Sequence, residues 1–352
     1  MIKTVMIVSL SSGILGEPFV RHELDLGVRR LESLGLTVKF ADNALRSLSY
    51  LREHPEARAA DLLQAFRDPE TDMILCAIGG DDTYRLLPHL FGENELRRAV
   101  ADKLFLGFSD TTFNHFMLRK VGLRTFYGQA FLPDLCEPAP DMLPYTRSFF
   151  EELIHTGGIR AIRPSDVWYD ERESFGPEQL GVPRKEHRNE GFTLLQGPDR
   201  FSGEILGGCL DSIHDMFNTD CYADTVELCR RYELFPSLEE WRGKILLLET
   251  SEEKPSPDSY RQMLTELRDY GLFRVTAGLI TGKPMDETYA AEYRQILTET
   301  VDDPSYPILW NVSVGHATPR CIIPFGVRAT VDAGRQEISF DPVPASYLTP
   351  DQ

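Results

Sequence analysis

Three residue types that together carry acyl transfer, a serine, a histidine and a glutamate, stand in this sequence where apolar runs end. In Leu104-Phe-Leu-Gly-Phe-Ser-Asp-Thr-Thr112 an apolar run stops at Gly-x-Ser-Asp, and a helical pattern with Phe113 and Phe116 begins at once. Strand, turn, helix is the context of a nucleophile elbow, which holds a serine hydroxyl exposed on a sharp turn. The match to G-x-S-x-G is partial, because Thr111 stands in place of the second glycine. A serine hydroxyl needs a base within hydrogen-bond reach, and that base needs an orienting acid. Among the eight histidines, His316 directly follows the apolar run ending at Gly315. His214 is a rival on a helical stretch, and His115 lies inside the helix that Ser109 opens. For the acid, Glu249 terminates Ile245-Leu-Leu-Leu248, where a buried carboxylate must be paired. Glu252 and Glu253 precede a helix at Pro257 and suit its positive end. Oxyanion donors would be the amide of Asp110 and one from Gly79-Gly80, with Gly80 favoured. The same residues have plainer uses, Ser109 or Asp110 as a helix N-cap and the glycine pair as a tight turn.

These residues need strands to hold them. Thr4 to Leu10, Leu36 to Phe40, Asp72 to Ile78 and Lys103 to Phe108 read as buried strands alternating with helices, which implies a parallel sheet covered on both faces. The expected fold class is α/β: an N-terminal flavodoxin- or Rossmann-like parallel sheet domain over 1–165 and a C-terminal mixed α/β domain over 196–352. Residues 166–195 are polar and aromatic-bearing without periodicity, and read as a functional loop or linker. In the second half, Gly203 to Leu210, Lys244 to Leu248, Ala277 to Ile280 and Ile308 to Val314 read as strands. Asp258 to Tyr270 reads as a helix, with Ser256 as N-cap and Pro257 at its first position.

Composition narrows the partners. With 352 residues, 42% hydrophobic and 26% charged, the chain can bury a core. A formal net charge of −18 and the lack of a Lys/Arg cluster weigh against nucleic acid and anionic membranes. The six cysteines form no C-x-x-C pair and no zinc-type spacing, so no metal is expected, and free thiols acting as small core residues suggest a cytoplasmic setting. The opening MIKTVMIVSL is too short to span a bilayer and lacks a small-residue cleavage site. Neither G-x-x-x-x-G-K-[ST] nor G-x-G-x-x-G occurs, and no cofactor is expected.

Several motifs in order resemble the LD-carboxypeptidase-type serine peptidases, and within them the microcin C self-immunity group. They are Arg58-Ala-Ala-Asp-Leu62, Ile78-Gly-Gly80, Gly107-Phe-Ser-Asp-Thr-Thr112, Gly207-Gly-Cys-Leu210, Gly243-Lys-Ile-Leu-Leu-Leu-Glu-Thr-Ser-Glu-Glu253 and Gly315-His316, and the likeness spans nearly the whole chain. The resemblance implies a Ser109, Glu249, His316 triad at a domain interface. It also implies an oxyanion hole using Asp110 and a Gly-Gly amide, no metal, and usually a homodimer. Two substrate classes follow: a peptidyl- or aminoacyl-nucleotide amide, or an L,D linkage in a murein peptide. Trp168, in Ser165-Asp-Val-Trp-Tyr-Asp170, looks like the aromatic that the immunity group offers to adenine; anchoring the loop is its simpler role. The sequence departs from the pattern in Ser9-Leu-Ser-Ser12, which lacks a proline, in the charged stretch Glu171 to Asn189, and in Phe192 where a tryptophan is expected. A catalytically silent ligand-binding paralogue is the alternative from another class.

Overall fold

The computed structural model describes residues 2–349. Strands β1 (Thr4–Val8), β2 (Thr37–Phe40), β3 (Met73–Cys76), β4 (Leu104–Gly107) and β5 (Phe126–Tyr127) pair in parallel in the order β5-β4-β3-β1-β2. Every residue of β3 and β4 is buried, which is why these strands read as unbroken apolar runs, whereas the edge strand β2 is half-buried.

The segment read as a functional loop or linker carries a hairpin. After the short β6 (Ala161–Ile162), β7 (Val167–Tyr169) pairs antiparallel with β8 (Glu186–Arg188), with Trp168 opposite His187. Three-residue strands are too short to show a period, so the sequence pattern does not reveal them. The C-terminal sheet adds β9 (Thr193–Gln196), β10 (Arg200–Cys209), β11 (Ile245–Glu249), β12 (Gly278–Gly282) and β13 (Ile308–Val312). After β14 (Ile323–Pro324), β15 (Arg328–Asp332) and β16 (Glu337–Phe340) complete it, in the order β6-β16-β15-β10-β11-β12-β13-β9. Strand β10 joins its two halves. Arg200 to Glu204 pair antiparallel with β15, and Ile205 to Cys209 pair parallel with β11.

Two short strands tie the halves of the chain together. β6, from the N-terminal part, pairs with β16, while β14 pairs with β5 at Ile323 and Tyr127. The second pairing carries the segment between β13 and β14 across the carboxyl end of the first sheet. The helix Pro257–Tyr270 starts as read, with Pro257 in its first turn and the Ser256 hydroxyl accepting from the Ser259 amide at 3.2 Å. Among the described residues no helix is long and apolar enough to cross a membrane. The cysteines are free; Cys221 is exposed, a departure from the expectation of core thiols, and the other five are buried.

Candidate active site

Ligands of open α/β sheets collect at the carboxyl ends of parallel strands, and five such ends converge here. β4 delivers Ser109, β3 delivers Gly79-Gly80, β5 ends at Tyr127, β11 ends at Glu249, and β13 leads to His316.

Ser109 has φ +66, a left-handed conformation that non-glycine residues rarely adopt, and a single helical turn starts from it. This is the strained corner that the partial elbow motif anticipates. Its hydroxyl lies 3.0 Å from Nε2 of His316. On the other side of the ring, Nδ1 of His316 donates to Oε2 of Glu249 at 2.7 Å, and the His316 backbone amide donates to the same oxygen at 3.2 Å. Gly315 makes this approach possible: its φ is +86, and a Cβ there would fall 2.2 Å from Oε2 of Glu249. Gly79 does the same beside the serine, since a Cβ would lie 2.6 Å from the Ser109 hydroxyl.

Ser109, Glu249 and His316 are 8%, 3% and 6% exposed, so their charges have little water to lean on. Tyr127 supplies part of the compensation. Its hydroxyl donates to Oε1 of Glu249 at 2.6 Å and accepts the backbone amide of Ser109 at 3.2 Å, joining Glu249 to Ser109 from a third strand. The sequence reading missed Tyr127; a tyrosine ending a short apolar run beside Gly128 was the available signal. Arg320 holds the histidine's loop, donating to the carbonyls of Gly315 and of His316, the latter at 3.0 Å, while bonding Asp134 at 3.0 Å.

The rival histidines take other work. His115 is buried, with ring nitrogens 2.7 Å from the Thr125 hydroxyl and 3.1 Å from the Gly107 carbonyl; burial lowers its pKa to about 3, so it stays neutral. His214 pairs with Glu266 at 2.6 Å. Glu252 corrects an expectation. Rather than serving the helix at Pro257, its carboxylate sits 2.9 Å from Nε2 of His316, the nitrogen that also faces Ser109. Burial lowers the pKa of His316, but Glu249 and then Glu252 outweigh it and raise the value to about 10.

The side chain of Asp110 points away from the serine, accepting from the Ser11 hydroxyl and from the Thr83 amide at 3.0 Å. Burial raises its pKa and those hydrogen bonds oppose the rise. Two cavities meet at Ser109, Gly80 and Glu252. One of about 630 Å³ is lined by carboxylates that include Asp81, Asp211, Asp215 and Glu253. The other, about 860 Å³, is bounded by Asp170 to Glu173 and mixes carboxylates with Arg172, Lys254 and Arg320.

The connection between β7 and β8 borders this larger cavity through Asp170 to Glu173 and Phe175, while Trp168 itself lies outside the lining. Trp168 stacks on its partner His187 at 4.2 Å and 17°, and the Lys283 ammonium lies 5.0 Å from its ring centre. Buried Glu137 pins the segment by accepting from Arg172 at 2.6 Å and from Arg184 at 2.8 Å, and the Tyr169 amide donates to the Thr318 carbonyl at 2.9 Å. Phe192 is buried, its backbone held by Gln336. Among the described residues, Cys209, Glu249 and His316 place potential metal donors within 4.8 Å of one another, but two of the three already bond each other.

A family model of the LD-carboxypeptidase N-terminal domain matches residues 5–128, and one of the C-terminal domain matches residues 202–331. The chain belongs to the LD-carboxypeptidase family, S66 peptidases. Within this family it is 27% identical over 320 residues to a probable murein peptide carboxypeptidase of Bacillus subtilis, covering 89% of this chain and 85% of that protein. It is 25% identical over 288 residues to the microcin C7 self-immunity protein MccF of Escherichia coli, covering 80% and 77%. Among solved structures, an MccF-like protein from Streptococcus pneumoniae in complex with AMP is 57% identical, with a TM-score of 0.96 over 97% of this chain and 99% of that one. This S66 peptidase is therefore a hydrolase of the LD-carboxypeptidase and MccF-like kind, and its two-part α/β fold is the family's.

Proposed function

We propose that this S66 peptidase cleaves the amide joining an aminoacyl or peptidyl group to an adenylate-like nucleotide through Ser109, His316 and Glu249. The observation that carries the reading is the hydrogen-bonded chain from Glu249 through both ring nitrogens of His316 to a serine on a strained strand-to-helix corner. Ser109 attacks the carbonyl carbon as Nε2 of His316 takes its proton. Glu249 fixes the ring and stabilises the imidazolium, and His316 then returns the proton to the leaving nitrogen as the C–N bond breaks. Water releases the acyl group by the same route in reverse. The amides of Gly80 and Asp110 are the proposed oxyanion donors, both flanking Ser109.

The nucleotide reading draws on the Streptococcus pneumoniae relative, which holds AMP. We assign the nucleotide to the larger cavity, where Lys254, about a third exposed, is the accessible cation for a phosphate, and the acyl part to the acidic cavity. Trp168 is proposed to stack on the base, which would then replace the His187 ring. A second reading, removal of a D-residue from a murein peptide, is favoured by the Bacillus subtilis relative. We also take the protein to be cytoplasmic and a homodimer, the latter checked by light scattering.

The test is hydrolysis of an aminoacyl sulfamoyl adenosine and a murein L,D-tetrapeptide, side by side, by the natural enzyme and by Ser109→Ala. Serine-dependent cleavage of the first alone supports the nucleotide reading; cleavage of the second alone replaces it with cell-wall recycling. Binding of the nucleotide without turnover of either would make the chain a silent paralogue.

A further inference from the structure

We propose that Glu252 is the receptor for a free α-ammonium group on the acyl residue of the substrate, and that engaging this group releases Nε2 of His316 to accept the proton of Ser109. The inference rests on the amide-hydrolase reading of the site and narrows its acyl group from aminoacyl or peptidyl to a single residue with a free α-amine.

The geometry poses the problem that this solves. Nε2 has one N–H direction and two claimants, the Ser109 hydroxyl at 3.0 Å and the Glu252 carboxylate at 2.9 Å. A carboxylate cannot donate, so its contact with Nε2 requires a proton on that nitrogen, the form in which His316 cannot act as base. The raised pKa of His316, with Glu252 among its causes, agrees with this locked arrangement. Something must draw the carboxylate away during turnover. Its side chain is 59% exposed, unlike the fully buried Glu249, and it borders both cavities, so it is free to swing.

The nature of the displacing group follows from position. An α-nitrogen lies about 2.5 Å from the carbonyl carbon of its own residue by covalent geometry. A carbonyl poised over Ser109 therefore sets its α-ammonium within reach of a carboxylate that already touches the neighbouring Nε2. The acyl cavity beyond carries Asp81, Asp211, Asp215 and Glu253 against Arg52 and His214, a lining in which carboxylates predominate and which favours a cation.

The experiment compares alanyl sulfamoyl adenosine with its N-acetyl counterpart, using the natural enzyme and Glu252→Gln. The expected result is a kcat/KM preference for the free amine of about 10- to 100-fold, collapsing toward unity in Glu252→Gln through loss on the free amine and gain on the N-acetyl compound, for which Nε2 of His316 is no longer held. In a Ser109→Ala background, calorimetry should show Glu252→Gln weakening the free-amine compound and leaving the N-acetyl compound unchanged. Serine-dependent cleavage of both compounds at equal rates, or equal loss on both in Glu252→Gln, overturns the inference and leaves the hydrolase reading standing. A natural enzyme that cleaves neither compound overturns both.

Discussion

On the floor of the cleft each functional side chain hangs from the end of a buried strand, whereas the rim is a short hairpin and loop held by ions. The floor residues Ser109, Glu249 and His316 are under a tenth exposed and fixed from several directions at once: Tyr127 from β5, Arg320 from the loop beyond His316, and glycines that let backbone and carboxylate approach. The rim strand Val167–Tyr169 is only half-buried, and its attachment runs through Glu137, Arg172 and Arg184. The contrast divides the labour. Changes in the floor should cost turnover in every substrate, and changes in the rim should cost binding and selectivity.

The largest effect expected is from Ser109→Ala, which should lower kcat by about 10⁴- to 10⁶-fold while leaving affinity for the nucleotide nearly intact. Residual turnover within tenfold of the natural enzyme would show that the floor chemistry does not run through this hydroxyl. Next in size, Glu137→Ala removes the carboxylate shared by Arg172 and Arg184, whose side chains are only 5% and 3% exposed, leaving Arg172 without a carboxylate partner and Arg184 with Glu171 alone. Breaking a buried pair from one side costs about 3–5 kcal/mol. Proteolysis should then cut within residues 171–184 at rates the natural protein does not show, with KM rising more than kcat falls. Equal losses in both would mean that the rim and the floor are one unit.

How much of this was legible in the sequence follows the same division. Ser109, Glu249 and His316 could be found because an apolar strand announces its own end, and the residue placed there inherits a position at the sheet's carboxyl edge. The parallel sheet was legible from the apolar runs of β1, β3 and β4, which are almost wholly buried. Tyr127 escaped because its role depends on β5 lying beside β4, a pairing between strands that no local pattern records. Glu252 was misread because sequence distance put it near a helix start, while the fold of the turn after β11 put it against a histidine 64 positions on. The hairpin around Trp168 escaped because its strands are three residues long and its anchors, Arg172 and Arg184, look like ordinary surface charges until Glu137 is found beneath them.

Tyr127→Phe sharpens the account of the floor. The change removes one hydrogen bond to a buried carboxylate and one to the amide of Ser109, at a cost of about 1.5–3 kcal/mol for a bond to a charged group. If Tyr127 supports both members, kcat should fall by about 10- to 100-fold with KM little changed. An unchanged kcat would reduce Tyr127 to a packing residue.

The smallest effect is the most discriminating, because it tests where the floor meets the rim. His316 faces Glu249 and Glu252 directly, with Asp211 and Arg320 nearby, and burial alone would lower its pKa. On the proposed mechanism His316 is the base and must be neutral to work, so kcat/KM should rise with pH through the pKa of His316 in the free enzyme. Both carboxylates favour the imidazolium and push that pKa up. Glu252→Gln removes one of them, so the acid limb of the kcat/KM profile should move to lower pH by about one unit. The opposite substitution, Arg320→Gln, removes a nearby cation and should move the limb the other way, if the loop still holds. A limb that stays in place in Glu252→Gln would mean that this carboxylate spends its time in solvent, and that His316 belongs wholly to the floor.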